Sequence, residues 1–262
     1  MRYSVMRRAK NSLSDDMNLQ DKKILITGAS SGIGKATAIA CAEKGMIVLI
    51  HYRDNLAGAK ETLKEVSARS KGFLFKADLT REKQIETMFK KIKTEVGTFD
   101  LLVNNAGALI EGDFSNNDAW KQNFETNFFS AVHVTQQFLI QKTKSSLNKI
   151  VNVTSVYGHV DGGSAEFFAY SAAKAALANM TITLAKLDPN LRVNAVAPGY
   201  TMTPMWDTTS SQEKKKCVAR TVINRFVAPE EIAQTITSIF ENDAITGQII
   251  TVDGGLLLKT DI

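Results

Sequence analysis

The sequence predicts an α/β protein with a single doubly wound parallel sheet and helices on both of its faces. Short apolar runs alternate with helix-forming segments along the chain, which is typical of parallel βαβ units. The chain has 262 residues, 44% of them hydrophobic, and is therefore long enough to bury one large core. We see no Pro-, Gly- or Ser-rich linker, so we expect one domain in residues 21–262 after an N-terminal extension in residues 1–20.

Each strand is predicted from a short apolar run that ends at a turn signal. These runs lie at 24–26, 46–52, 73–75, 101–103, 150–153, 192–196 and 248–252. The segments between them predict helices at 35–44, 56–69, 82–96, 118–143 and 167–187, and a further helix that begins at Pro229. Elements in this order predict a parallel sheet whose two faces are both covered by helices.

The N-terminal extension differs in character from the rest of the chain. Its first ten residues carry four basic side chains and no acid, and they lack the apolar segment of a secretory signal. A transit peptide, a disordered extension and a translation start at Met17 are all compatible with this composition. The nearby Asp15 and Asp16 favour the last two, so we expect a disordered extension.

Charge and composition argue against several classes of partner. The 32 basic and 27 acidic residues give a net charge of +5, but the two signs are interleaved, as in Lys60-Glu61. This pattern favours a solvated surface over a nucleic-acid site.

No apolar run approaches the ~20 residues that a transmembrane helix needs. Cys41 and Cys217, like the three histidines, lack metal-ligand spacing, so we expect no metal and a cytoplasmic location.

A glycine-rich stretch, 27–34, lies between the first predicted strand and the first predicted helix. In that context Gly28 suits a tight turn, Gly32 a close approach of the backbone to phosphate, and Gly34 close helix–strand packing. The helix N-terminus adds free N–H groups for an anion. The stretch therefore predicts dinucleotide binding, with Ser30, Ser31 and Ile33 in the same loop. A purely structural turn is the alternative, since three residues rather than one separate the first two glycines.

The end of the second strand predicts which dinucleotide is bound. An acid there would hold the ribose 2′-OH of NAD, but Tyr52 stands at this position and Arg53 follows it. A guanidinium suits a 2′-phosphate, which favours NADP(H). Asp54 leaves NAD(H) open, and a solvated surface role is the other interpretation of Arg53.

Tyr170 and Lys174 lie four residues apart in a predicted helix and therefore project from the same face. A phenol with a pKa of about 10 is a weak acid near neutrality, and a nearby ammonium lowers that pKa. A tyrosine tuned in this way can exchange a proton with a carbonyl or alcohol oxygen. By itself the pair favours an ordinary helix surface, because Tyr and Lys four residues apart are common.

Further short motifs occur in a characteristic order along the chain. They are Thr27-Gly28 with Gly32-Ile33-Gly34, Asp78-Leu79, Asn104-Asn105-Ala106-Gly107, Asn127, Ser155, Tyr170 with Lys174, Pro198-Gly199 and Val252-Asp253-Gly254-Gly255. With these motifs the sequence resembles the short-chain dehydrogenase/reductase family over residues 19–258. Within that family it is similar to the 3-oxoacyl-(acyl-carrier-protein) reductase-like group.

The resemblance implies a Rossmann-like fold with a cofactor cleft at the carboxyl ends of the strands, where open α/β sheets place ligands. Asp78 and Leu79 are then expected at the adenine. Asn105, Ala106 and Gly107 are expected on the adenosine side of the cleft. The nicotinamide side is expected to be formed by Pro198, Gly199, Thr201 and Thr203.

The resemblance also implies a mechanism. Ser155 and Tyr170 hydrogen-bond a substrate oxygen, Tyr170 transfers the proton, and Asn127 holds a proton-relay water. Lys174 binds the nicotinamide ribose and lowers the pKa of Tyr170. The sequence departs from the family in one respect, because fourteen residues separate Ser155 from Tyr170, more than is usual.

We therefore expect an oxidoreductase that transfers hydride between NADP(H) and a small-molecule carbonyl or secondary alcohol, most like a 3-oxoacyl thioester or related ketone reductase. An NAD-dependent sugar, polyol or steroid alcohol dehydrogenase and a non-catalytic cofactor sensor are the alternatives. Residues 203–220 are expected to form a substrate lid, and the family resemblance implies a homotetramer.

Overall fold

The described residues of this computed structural model, 18–144, 146–164 and 166–258, form a parallel sheet of seven strands. The strands are β1 Lys23–Ile26, β2 Ile47–Tyr52, β3 Gly72–Lys76, β4 Leu101–Asn104, β5 Asn148–Val153, β6 Leu191–Pro198 and β7 Ile249–Val252. Their order is β3-β2-β1-β4-β5-β6-β7. The direction of winding reverses between β1 and β4, and such a reversal opens a crevice at the carboxyl ends of the strands.

Helices cover both faces of this sheet, as the alternating pattern predicts. They are α1 Gly32–Glu43, α2 Leu56–Ser67, α3 Glu82–Glu95, α4 Asn117–Phe124, α5 Ser130–Gln141, α6 Phe168–Leu184, α7 Ser211–Ala219 and α8 Pro229–Phe240. On one face Cys41 of α1 and Ile236 of α8 share a core with the strands. On the other face Phe89 of α3 and Phe138 of α5 join a second core. The predicted doubly wound fold is confirmed.

The central strands are buried on both sides, which explains their continuous apolar sequence. In β1, β2 and β4 the residues at the middle of the strand are fully enclosed. The register pairs Ile26 with Ile50 on one side and with Val103 on the other, so the three strands end within two residues of one another. The loops that follow them therefore meet at one edge of the sheet.

The prediction of one continuous helix over 118–143 is wrong. The segment consists of α4, a π-helical turn at Glu125–Phe129, and α5, which ends at Gln141. The amide of Asn127 donates to the carbonyl oxygen of Asn123 at 3.1 Å and to that of Ala108 at 2.8 Å. A side chain that bonds the backbone of the preceding turn competes with the regular helical hydrogen bonds, which widens the turn.

The predicted boundary after residue 20 also needs correction. Leu19 is buried among the residues of the α1–α8 core, and the N–H group of Asp21 donates to the carbonyl oxygen of Gly45 at 3.1 Å. The globular unit therefore includes Leu19, because its side chain fills part of that core. The rest of the predicted extension, residues 1–17, lies outside the described residues.

Candidate active site

Loops after six of the strands line one cleft of about 720 Å³. It opens at the carboxyl edge of the sheet, at the switch between β1 and β4. The residues predicted from the sequence that line it are Gly28, Ser30, Ser31, Gly32, Ile33, Arg53, Asp78, Leu79, Asn105, Ala106, Gly107, Asn127, Ser155, Tyr170, Lys174, Pro198, Gly199, Thr201 and Thr203. Gly34 lies behind this wall, where a Cβ would come 2.3 Å from the carbonyl oxygen of Gly28. Its small size lets α1 pack against the glycine-rich loop.

The glycine-rich loop leaves the first turn of α1 without a side-chain cap. Gly28 and Gly32 have φ values of +64° and +52°, which favour glycine. The side chain of Ser31 at the N-cap makes no capping hydrogen bond, and the first turn carries no acidic residue. N–H groups at the start of a helix without such a cap suit an anion.

Two residues beside β1 hold this loop in place. The side-chain amide of Asn105 donates to the carbonyl oxygens of Thr27 at 2.9 Å and Gly28 at 3.1 Å. The Thr27 hydroxyl in turn accepts the N–H groups of Asn105 and Ala106. Asn105 therefore fixes the loop as well as lining the cleft. Thr27, which the sequence analysis named in a motif without a role, is a candidate for the same positioning function.

Arg53 lies at the cleft edge in an ion pair with its neighbour. Its Nε donates to Asp54 at 2.6 Å, and both side chains are exposed. Asp78, after β3, accepts hydrogen bonds from the N–H and the hydroxyl of Thr80. Burial works to raise the pKa of Asp78, but the bonds from Thr80 and the nearby arginine charges outweigh it, so the pKa is lowered. The edge thus combines one fixed carboxylate with one exposed guanidinium.

Ser155 and Tyr170 come together from different elements. Ser155 follows β5, and its Oγ accepts the N–H group of Tyr157 at 3.1 Å. Tyr170 lies in the first turn of α6, partly buried in the cleft wall. Burial raises the pKa of Tyr170, and a hydrogen bond with Ser155 opposes that rise without cancelling it. In the protein alone, Tyr170 is therefore a protonated phenol at neutral pH.

Lys174 is buried one turn further along α6. Its ammonium donates to the carbonyl oxygen of Val153 at 2.9 Å and lies 5.7 Å from the centre of the Tyr170 ring. Burial lowers the pKa of Lys174 to about 8. In the protein alone the net pKa of Tyr170 is raised rather than lowered, because desolvation of the phenol dominates. The lowering expected from Lys174 together with the oxidised cofactor stays a prediction.

Asn127 is buried in the π-helical turn and faces the loop after β4. Its Oδ1 accepts the N–H group of Ala108 at 3.1 Å, and its Nδ2 donates to the carbonyl oxygen of the same residue. A Cβ on Gly107 would lie 2.6 Å from Asn127 Oδ1 and 3.4 Å from Lys174 Nζ. The absence of a side chain at Gly107 therefore leaves room for Asn127 and Lys174.

Part of the cleft is lined by aromatic side chains, and we call this cluster the aromatic wall: Tyr157, Tyr200 and Trp206 face the cleft, and Phe226 packs against Tyr200 and Trp206. The hydroxyl of Tyr157 donates to that of Tyr200 at 3.3 Å. Trp206 packs edge-on against Tyr200 and Phe226, with ring centres 5.6 and 4.8 Å apart. Sequence reasoning missed Tyr157 and Tyr200, although each lies within two residues of a recognised motif.

The predicted lid, residues 203–220, forms a 3-10 turn at Pro204–Trp206 followed by α7. Arg220 donates to the Tyr200 hydroxyl at 2.9 Å, which ties the end of this segment to the aromatic wall. The long connection between Ser155 and Tyr170 folds back onto α6, since a Cβ on Gly158 would meet the backbone of Lys174 and Ala175. Ala165 of this connection lies outside the described residues.

Potential metal-ligating side chains are dispersed over the described part of the chain. Among residues 18–144, 146–164 and 166–258, no three His, Cys, Asp or Glu side chains are grouped so that they could hold a metal ion. Within the same ranges, no helix has both the length and the apolar character to cross a bilayer.

Fold and cleft together define a doubly wound α/β protein with a nucleotide-type loop and a Ser–Tyr–Lys group at the strand ends. The model of the short chain dehydrogenase family matches residues 22–214. The chain belongs to this family and is an NAD(P)-dependent oxidoreductase that acts on small molecules.

Curated relatives match nearly the whole chain. The 3-oxoacyl-(acyl-carrier-protein) reductase FabG of Thermotoga maritima is 35% identical over 255 residues, which cover 92% of this chain and 100% of the relative. The cis-4-hydroxycyclohexanecarboxylate dehydrogenase of Sinomonas cyclohexanicum is 34% identical over 246 residues, which cover 90% of this chain and 96% of the relative.

Solved structures show the same fold. The RhlG/NADP active-site complex of Pseudomonas aeruginosa has a TM-score of 0.84 at 27% identity, covering 92% of this chain and 98% of that one. The angucycline C-6 ketoreductase LanV with bound NADP has a TM-score of 0.85 at 27% identity, and the match covers 92% of this chain and 97% of that one.

Proposed function

We propose that the protein is an NADP(H)-dependent ketone reductase whose substrate is a 3-oxoacyl thioester or a related ketone. The observation that carries this proposal is the meeting of Ser155, Tyr170 and Lys174 in the cleft that the glycine-rich loop enters. The names of the FabG and LanV relatives support a carbonyl substrate. A cofactor sensor would not need a proton donor beside a serine hydroxyl.

The residues present fit a dinucleotide. The uncapped N–H groups at the start of α1 suit the pyrophosphate. Gly32 keeps the space beside them open, because a Cβ at this position would lie 3.2 Å from the side chain of Thr203. Asp78, Leu79, Asn105, Ala106 and Gly107 would then hold the adenosine side, and Pro198, Gly199, Thr201 and Thr203 the nicotinamide side. When bound, the cofactor supplies or accepts the hydride.

Tyr170 acts as the proton donor in the proposed reduction. Burial keeps its phenol protonated at neutral pH, so it can donate a hydrogen bond to the substrate oxygen. Ser155 donates a second hydrogen bond to the same oxygen. Donors that are already in position are most effective where negative charge develops. Tyr170 then transfers its proton to that oxygen, which leaves an alcohol.

Lys174 stabilises the phenolate that this transfer leaves behind. Its pKa of about 8 keeps most of the lysine charged near neutral pH. Its bond to Val153 and its helical spacing from Tyr170 hold the charge beside the phenol. Asn127, whose amide is held by Ala108, is proposed to position a proton-relay water next to Lys174.

Arg53 supports the preference for NADP(H). Its side chain is exposed at the cleft edge, where a 2′-phosphate can compete with Asp54 for the guanidinium. The NADP complexes among the similar solved structures support the same choice.

We also propose that the protein is a cytoplasmic homotetramer. Phe129 at the end of the π-helical turn, Ile140 of α5 and Ile182 of α6 are exposed by 39%, 73% and 39%. Large apolar side chains that are exposed in one copy favour burial against another copy. Cys41 and Cys217 are free thiols, which fits a reducing compartment. A stable monomer in light scattering would contradict the tetramer.

The test of the proposed function is the oxidation of NADPH and of NADH in the presence of a panel of ketones. The panel covers acyl thioesters, alicyclic and polycyclic ketones, and sugars. Faster turnover of one ketone class with NADPH than with NADH supports the proposal. Binding of NADPH without turnover of any ketone would favour the sensor, and a preference for NADH would contradict the cofactor assignment.

A further inference from the structure

His51, near the end of β2, is buried at 2% exposure below the glycine-rich loop. Its Nδ1 accepts the N–H group of Gly28 at 3.0 Å, and its Nε2 lies 3.0 Å from the carbonyl oxygen of Ala77. Its own carbonyl oxygen accepts the N–H group of Ala29 at 2.9 Å. One residue therefore contacts the loop after β1 twice and the end of β3 once.

These contacts define the form of the ring. A nitrogen that accepts from a backbone N–H carries no proton, and a nitrogen that faces a carbonyl oxygen carries one. The ring is therefore neutral, with its proton on Nε2. Burial agrees with this assignment, since it lowers the pKa of His51 to about 4.

The contacts also decide which loop donors can reach a ligand. The N–H groups of Gly28 and Ala29 are taken by His51, while those at the start of α1 remain uncapped. An anion in the loop is thereby directed to the helix N-terminus. The bond to Ala77 places the start of the Asp78 segment in fixed register with the loop.

We propose that His51 is a positioning residue for the cofactor: it joins the phosphate loop to the adenosine-side segment and keeps both in the binding geometry. The inference rests on the proposed function, because the ligand it concerns is NADP(H). His51 lies in the wall of the cleft, but both of its ring nitrogens face backbone atoms, so it acts through Gly28, Ala29 and Ala77.

The experiment compares wild type with His51→Asn and His51→Phe. Asn places an acceptor near the position of Nδ1 and can retain the bond to Gly28, whereas Phe has a similar ring and no polar atom. We expect the Kd for NADPH to rise at least about tenfold in His51→Phe and clearly less in His51→Asn, which loses only the bond to Ala77. The cofactor KM should rise in His51→Phe while kcat at saturating NADPH is largely kept.

The proposal is overturned if His51→Phe, shown to be folded by its circular dichroism, binds NADPH as wild type does. It is also overturned if His51→Asn and His51→Phe lose binding equally. Absence of NADPH binding in the wild type would instead overturn the proposed function, so the two failures are distinguishable.

The pH dependence of NADP+ affinity is a further test, because a purely structural role of His51 would not change it. Protonation of Nδ1 removes the acceptor for Gly28, so wild type should lose NADP+ affinity relative to His51→Asn as the pH falls toward about 4. The loop residues 27–34 carry no charge, and the charged groups nearby are Asp78 after β3 and Arg53 and Asp54 after β2. Wild type and His51→Asn share these groups and bind the same cofactor phosphates. The ratio of their NADP+ affinities therefore reports on His51. A ratio independent of pH contradicts the proposal.

Discussion

The ammonium of Lys174 donates a hydrogen bond of 2.9 Å to the carbonyl oxygen of Val153, the last residue of β5. This bond joins the helix that carries Tyr170 to the strand that leads into Ser155. The three side chains of the candidate site are thus held by a contact between a helix and a strand end. Because the lysine is buried there, its positive charge lowers the stability of the folded state by a measurable amount.

Replacing Lys174 by Met is expected to change how stability depends on pH. The pKa of Lys174 is lowered from 10.5 to about 8, so between these values the unfolded chain binds a proton that the folded chain lacks. The free energy of unfolding of wild type should therefore rise across this window, relative to Lys174→Met, by about 3 kcal/mol. Urea denaturation without cofactor measures it, and a constant difference between the two proteins from pH 8 to 10.5 would refute the buried charge.

Tyr170→Phe is expected to remove the proton donor and to leave the cofactor site intact. We expect kcat to fall at least about 100-fold, the usual size of a lost general acid. The Kd for NADPH should stay within about threefold. Ser171→Ala is the matched control on the same helix, because the Ser171 hydroxyl makes no hydrogen bond among the described residues. Equal turnover in Tyr170→Phe and Ser171→Ala would exclude the mechanism.

Arg53→Ala is expected to weaken NADPH binding about tenfold to 100-fold, since a charge-assisted bond to the 2′-phosphate is lost. NADH lacks that phosphate and should be affected much less. Asp54→Ala is the counterpart, because it releases Arg53 from an ion pair of 2.6 Å and should strengthen NADPH binding. Calorimetry with both cofactors measures the ratio, and equal losses for NADPH and NADH in Arg53→Ala would show that Arg53 does not contact the phosphate.

Gly107→Ala is expected to lower kcat at least about tenfold, because its Cβ would come within 2.6 Å of Asn127 Oδ1. Asn127 is held by two bonds to Ala108 and cannot move away cheaply. A double-mutant cycle isolates this contact: Gly107→Ala should cost much less in an Asn127→Ala background. Additive effects of the two substitutions would mean that Gly107 acts on some other group.

Much of the site was predictable because it depends on chain order. Residues that directly follow buried parallel strands meet at one edge of the sheet, so the order of strands and motifs is enough to place Gly28, Asp78, Asn105 and Ser155 together. The break in the predicted helix 118–143 was not predictable, since it depends on Asn127 meeting Ala108, a residue far away in the sequence. Local helix propensity carries no information about such a contact.

By itself the sequence determined the doubly wound fold and the cluster of polar side chains at the strand ends, because periodicity and motif order are local properties of the chain. Only the tertiary structure decided the protonation states and partners in that cluster. Burial raises the pKa of Tyr170 and lowers those of Lys174 and His51, and desolvation exists only once the chain is packed. The same packing brings Tyr157 to Tyr200, a pair that nothing in the order of residues connects.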